Sequence, residues 1–129
     1  MKKANFNIQK SFFFNVVFYF LLTGCSSAYQ TELPNRSNEH IRDTIDNHKA
    51  SIWQLYLNAR KTNPSIEGKI VFEFKILPHG KVRNAKIVSS QLNHNDLEIQ
   101  LKRYVESIEF GDQNVKTSEI EYMFVFFAE

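Results

Sequence analysis

Hydrophobic and polar residues alternate with different periods along the chain, and each period predicts an element. Ile41, Ile45, His48, Ile52, Leu55 and Ala59 recur at alternating steps of four and three until Asn63-Pro64 stops the run. That spacing predicts an amphipathic helix. The seam is short and contains His48 and Ala59, so packing on the domain's own sheet is expected rather than a coiled coil. From Gly68 onward, Ile70, Phe72, Phe74 and Ile76 alternate with Lys69, Val71, Glu73 and Lys75, the two-residue period of a strand with one buried face. Leu77-Pro78-His79-Gly80-Lys81 combines a preset proline φ with a permissive glycine, so the chain should reverse and return through Val82, Ala85, Ile87 and Val88. The apolar phase slips between Val82 and Ala85, which suits a bulge in the returning strand.

Beyond Ser89-Ser90 and an Asn-rich turn, Asn95 or Asp96 is the expected cap of a second helix. Leu97, Leu101, Tyr104, Val105 and Ile108 share its apolar side, and Gly111 is its expected end. The final pattern, from Ser118 to Phe127, sets Ile120, Tyr122, Phe124 and Phe126 against Glu119, Glu121, Met123, Val125 and Phe127. The predicted order is α-β-β-α-β. A crossover through the second helix lets the last strand lie antiparallel beside the first. The expected fold is α+β, a three-stranded antiparallel sheet with the helices packed on it.

The first two dozen residues are a different material. Lys2, Lys3 and Lys10 accompany an apolar run from Phe12 to Leu22, interrupted only by Asn15 and followed by small residues. This is the three-part layout of an export signal, and the run is too short to span a bilayer comfortably. The competing reading is a buried core segment followed by a chance cysteine. Leu22-Thr23-Gly24-Cys25 resembles the lipobox of bacterial lipoproteins, in which small side chains admit the peptidase and the thiol accepts a diacylglyceryl group. The resemblance implies a signal peptide over 1–24, a lipidated Cys25 opening a flexible spacer over 25–38, and one domain over 39–129. By the same resemblance, Ser26 after the lipidated cysteine implies outer-membrane attachment facing the periplasm.

Charge and composition narrow the chemistry. Cys25 is the only cysteine, so no internal disulfide or cysteine metal cluster is available. Of sixteen Lys and Arg, three fall in the expected signal, whereas all fourteen Asp and Glu lie downstream. The mature chain is thus close to neutral and lacks the basic stripe that nucleic acid would need. Four glycines form no phosphate-binding loop, so no nucleotide is expected. His40 and His48 are too far apart on one helix for an i, i+4 metal pair, while His79 and His94 belong to a turn and a polar loop. Ser89-Ser90 lacks a nucleophile elbow and a placed base. Neither a catalytic residue, a metal ligand nor a cofactor is assigned.

Three ordered pieces carry a second resemblance: Asn63-Pro64-Ser65-Ile66-Glu67-Gly68-Lys69-Ile70-Val71-Phe72, then Ile76-Leu77-Pro78-His79-Gly80-Lys81-Val82, then Val88-Ser89-Ser90-Gln91-Leu92. Together with Phe110-Gly111, they resemble the AgmX/PglI C-terminal domain, a relative of the TonB C-terminal domain, over roughly Ile41 to Phe127. Many members carry cysteines that this domain lacks, and His79 stands where Asp or Ser is common. TonB-like proteins are links whose C-terminal sheet captures an extended peptide as an added strand, and AgmX-type relatives are associated with envelope-spanning motility machinery. With a lipid in place of a transmembrane helix, the resemblance implies a docking component for an envelope protein rather than a motor-coupled rod. Met123, Val125 and Phe127 on the last strand are the expected contacts. The alternative for that face is a cover by the first helix, because Trp53, Tyr56 and Leu57 lie off its main stripe. Binding of peptidoglycan or another envelope polymer, and a minor enzymatic or metal-carrying role, stay open as other functions.

Overall fold

A computed structural model describes residues 31–127; the expected signal segment and Cys25 lie outside the described residues. The elements are α1 (Asn38–Arg60), β1 (Gly68–Ile76), β2 (Val82–Ser90), α2 (Asn95–Ser107) and β3 (Ser118–Phe126), in the predicted order. The three strands form one antiparallel sheet ordered β2-β1-β3, so β1 is central and the crossover through α2 places β3 on its far side.

Alternation along β1 builds the core. Ile70, Phe72, Phe74 and Ile76 are all at most 2% exposed and face Ile41, Ile45, Ile52 and Tyr56 of α1 together with Leu97, Leu101 and Val105 of α2. Both of these helices therefore cover one face of the sheet, and among the described residues no helix lies on the face bearing Lys69, Val71, Glu73 and Lys75. The stripe of α1 departs from the expected one at its C-terminal end. Tyr56 is fully buried and donates its hydroxyl to Ile66 O at 2.8 Å, whereas Leu55 and Ala59 are only partly buried. A seam stepping every 3.5 residues drifts around a helix of 3.6 residues per turn, and about four turns of drift bring Tyr56 to the core in place of Leu55.

The second helix also differs at both ends. Its N-cap is His94, whose Nδ1 accepts from the Leu97 amide at 3.1 Å, and not Asn95 or Asp96. It stops at Ser107 rather than running to Gly111, because extended backbone at Ile108 turns that side chain into the core.

The bulge expected in the returning strand is present. Between the pairs Lys75↔Arg83 and Glu73↔Lys86, β2 holds an extra residue beside Asn84, which adopts φ +54°. A second shift, between Val71↔Ser89 and Phe72↔Ile87, leaves Val88 unmatched and exposed. By contrast, β1 and β3 pair without interruption from Gly68↔Phe126 to Ile76↔Ser118.

The expected spacer ends earlier than residue 38. Pro34 O accepts from the Lys116 amide at 2.9 Å, Glu32 pairs with Lys116 Nζ at 2.9 Å, and Arg36 is 3% exposed. The compact unit begins at Glu32. The Arg36 guanidinium donates to Phe110 O at 2.9 Å, Leu77 O at 3.3 Å and Pro78 O at 3.1 Å. These carbonyls belong to the β1–β2 turn and to the loop after α2, so one side chain ties three remote segments together. Burial pulls its pKa down, with Asp112 acting in the opposite direction, but a guanidinium stays charged. His40 adds a fourth bond, from Nε2 to Phe110 O at 2.7 Å; as a carbonyl only accepts, that nitrogen carries the proton. The same junction explains Gly80: its φ is +90°, and a Cβ there would lie 2.5 Å from backbone atoms of Gly111.

Candidate docking edge

Because β1 is central, both β2 and β3 offer one lateral edge. In a strand, the backbone N–H and C=O groups of alternate residues point to opposite sides, so about half of those in β3 face away from β1. Among the described residues, no other strand pairs with that side of β3.

The side chains of β3 alternate around this edge. Phe124 and Phe126 are buried under α1, with Ile120 and Tyr122 partly buried beside them. Phe126 stacks against the rings of Tyr56 at 4.7 Å and Trp53 at 6.0 Å, themselves 4.9 Å apart, which fixes the side of the sheet that α1 occupies. The alternative that α1 covers Met123, Val125 and Phe127 is therefore corrected: the off-stripe Trp53 and Tyr56 find their contacts on the opposite face. Met123 is 50% and Phe127 65% exposed, and Val125 between them is partly exposed.

Where α1 overhangs the edge, a groove of about 490 Å³ opens. It is lined by Lys49, Ala50, Ile52 and Trp53 from the helix and by Tyr122 to Phe126 of the strand. Lining by consecutive strand residues, which point alternately up and down, means that the groove runs along the backbone of β3. Its walls are mainly apolar and its rim carries one ammonium. Lys49 is held to Asp46 at 2.7 Å, and that hydrogen bond raises its pKa.

The sequence-derived docking residues thus lie together on one exposed strip. The groove wall supplied by Lys49 and Trp53 was missed, since nothing in the α1 pattern alone says which edge the helix overhangs. Three of the four histidines have structural partners, and the four do not converge. His40 bonds Phe110 O, His48 Nδ1 meets Tyr104 Oη at 2.8 Å, and His94 caps α2, while His79 stays in the exposed turn. Among the described residues, no three His, Cys, Asp or Glu side chains group as a metal site, and no helix is long and apolar enough to cross a membrane. Ser90 Oγ donates to Glu98 Oε1 at 2.6 Å and accepts from the Leu92 amide, which joins β2 to α2.

No family model and no curated protein matches the chain. Among solved structures, the TonB C-terminal domain of Helicobacter pylori, determined in solution by NMR, is similar over 82% of this chain and 96% of that one, with 19% sequence identity and a TM-score of 0.52. At that identity the likeness is one of fold, and it places the domain in the TonB C-terminal-like α+β class.

Proposed function

We propose that this chain is a non-catalytic docking module of the bacterial envelope, which takes an extended segment of a partner protein as an added strand on β3. The observation that carries the reading is the uninterrupted free edge of β3 running beside an apolar groove. An added strand gains main-chain hydrogen bonds from the edge, and its alternate side chains enter the groove or lie against Met123, Val125 and Phe127. The mainly apolar lining suits polypeptide side chains better than the hydroxyl-rich surface of a glycan polymer.

Attachment belongs to the same proposal. Cys25 carries the lipid, residues 1–24 are the removed signal, and Ser26 directs the protein to the outer membrane with its domain in the periplasm. The ordered pieces around Gly68, Pro78 and Ser89 favour the AgmX/PglI branch of TonB-like domains and hence a role in an envelope-spanning assembly. Replacing Cys25 with Ala should abolish incorporation of labelled palmitate and release the protein from the membrane fraction.

The docking test is a pull-down from detergent-solubilised envelope, comparing the native chain with Val125→Lys/Phe127→Lys. Among the described residues no helix covers the face that carries both positions, so each substitution should change stability by no more than about 0.5 kcal/mol. A partner captured by the native chain and lost by the folded variant is the expected result. Equal capture by both would move the site off β3.

A further inference from the structure

The outward face of β3 is electrostatically uneven, and that unevenness selects among extended partners. Glu119 and Glu121 occupy its first half, Met123, Val125 and Phe127 its second. Glu119 is committed: Lys75 lies opposite it on β1 and binds it at 2.6 Å. Glu121 stands in a different position. Its direct neighbour across the ladder is Glu73, another carboxylate, and Glu73 already pairs with Lys86 on its far side at 2.8 Å. Among the described residues, no Lys, Arg or His nitrogen lies within ion-pair distance of Glu121. Like charges directly opposite one another destabilise a sheet, so this row of the ladder holds a carboxylate pair that Lys86 offsets only on the Glu73 side, while its Glu121 side ends at the open edge.

We infer that the strand added to β3 presents a Lys or Arg beside Glu121 and apolar side chains beside Met123 and Val125. This rests on the docking reading above and names the partner's chemistry. A cation in the position next to Glu121 completes the row Lys86, Glu73, Glu121, cation, in which the two carboxylates share flanking positive charge on both sides. Two and four residues along, on the same face, the neighbours are Met123 and Val125, where a charge would be desolvated without a partner. On the groove side the intervening residues of the added strand meet Trp53 and Tyr122, so apolar side chains fit there as well. The occupant is therefore an extended, largely apolar segment with one basic residue near the Glu121 position, and an acidic segment is disfavoured.

Two synthetic pools of random octapeptides test this against the immobilised full chain in detergent micelles. One pool has Lys as its only charged residue, the other Glu, and amide resonances of β3 are followed alongside retention. The native chain should retain the Lys pool on the order of fivefold better, the scale expected from exchanging a favourable cross-strand charge pair for a repulsive one. Glu121→Gln should remove most of the preference while binding persists, and Glu121→Lys should reverse it. Glu121 is exposed, so both variants keep the native circular dichroism spectrum. Equal retention of the two pools with β3 resonances still shifting overturns the inference and leaves strand addition standing. Retention of neither pool with β3 unmoved overturns strand addition, and the inference with it.

Discussion

The two outer strands of the sheet are built to opposite rules. Strand β2 is broken by two register shifts, carries Asn84 in a left-handed conformation and displays Arg83 and Lys86. Bulges and charges of this kind spoil a strand as a template for further pairing. Strand β3 has no bulge, pairs over its full length with β1 and turns apolar towards its end. A protein that disrupts one edge so thoroughly and leaves the other straight has not simply left its edges unprotected. Under the proposed docking, this difference is what favours β3 over β2 as the receiving edge.

Breaking the framework that both edges share should have the largest effect. Phe72 is fully buried in β1 between Ile87 of β2 and Tyr122 of β3. Truncation to Ala should cost about 3–5 kcal/mol in denaturant unfolding and loosen both edges together. Next comes the tie at the Ser118 end of β3. Arg36→Ala removes a buried guanidinium from three carbonyls and should cost roughly 1.5–3 kcal/mol. Faster amide exchange in residues 32–37 and 110–117, with the middle of β3 still protected, would identify the loss as local.

Smaller changes sharpen the contrast between the edges. Asn84→Val puts a β-branched residue at φ +54° and should cost about 1–2 kcal/mol, with β2 amides exchanging sooner than those of β3. A destabilisation shared evenly by the two strands would argue against an independent bulge. The weakest effect belongs to the Lys75–Glu119 pair on the exposed face. The hydrogen bond from Lys75 holds the Glu119 pKa below its usual value. Its contribution is therefore present above the ordinary carboxylate pKa and fades as pH falls through the depressed one. Glu119 in turn raises the Lys75 pKa, so Glu119→Gln should flatten slightly both the acid limb of the stability profile and the alkaline limb where Lys75 loses its proton.

Much of this was legible beforehand where one period ruled a segment. The alternation of Ile70, Phe72, Phe74 and Ile76 located β1 and its buried face, and the phase slip after Val82 announced a bulge. Arg36 was not legible. It sits in a polar stretch, and its burial depends on carbonyls 41, 42 and 74 residues away in sequence. His94 as a cap was hidden for a different reason, since neighbouring Asn95 and Asp96 are the usual residues for that role. For the docking strip, sequence separated Met123, Val125 and Phe127 from the core-facing residues of β3, but the side of the sheet on which α1 lies was settled only by Trp53 and Tyr56 stacking on Phe126.

The tie made by Arg36 also sets the reach of the molecule. Residues 32–36 are fastened at the end of the sheet where Ile76 meets Ser118, while the apolar end of β3 lies where Gly68 meets Phe126. Nine residues of strand separate these ends by about 27–30 Å. Under the proposed anchoring at Cys25, the leash up to Glu32 can be no longer than about 25 Å. A leash this short, fastened at one pole of the domain, can keep that pole towards the bilayer and leave the opposite pole to meet a partner farther out.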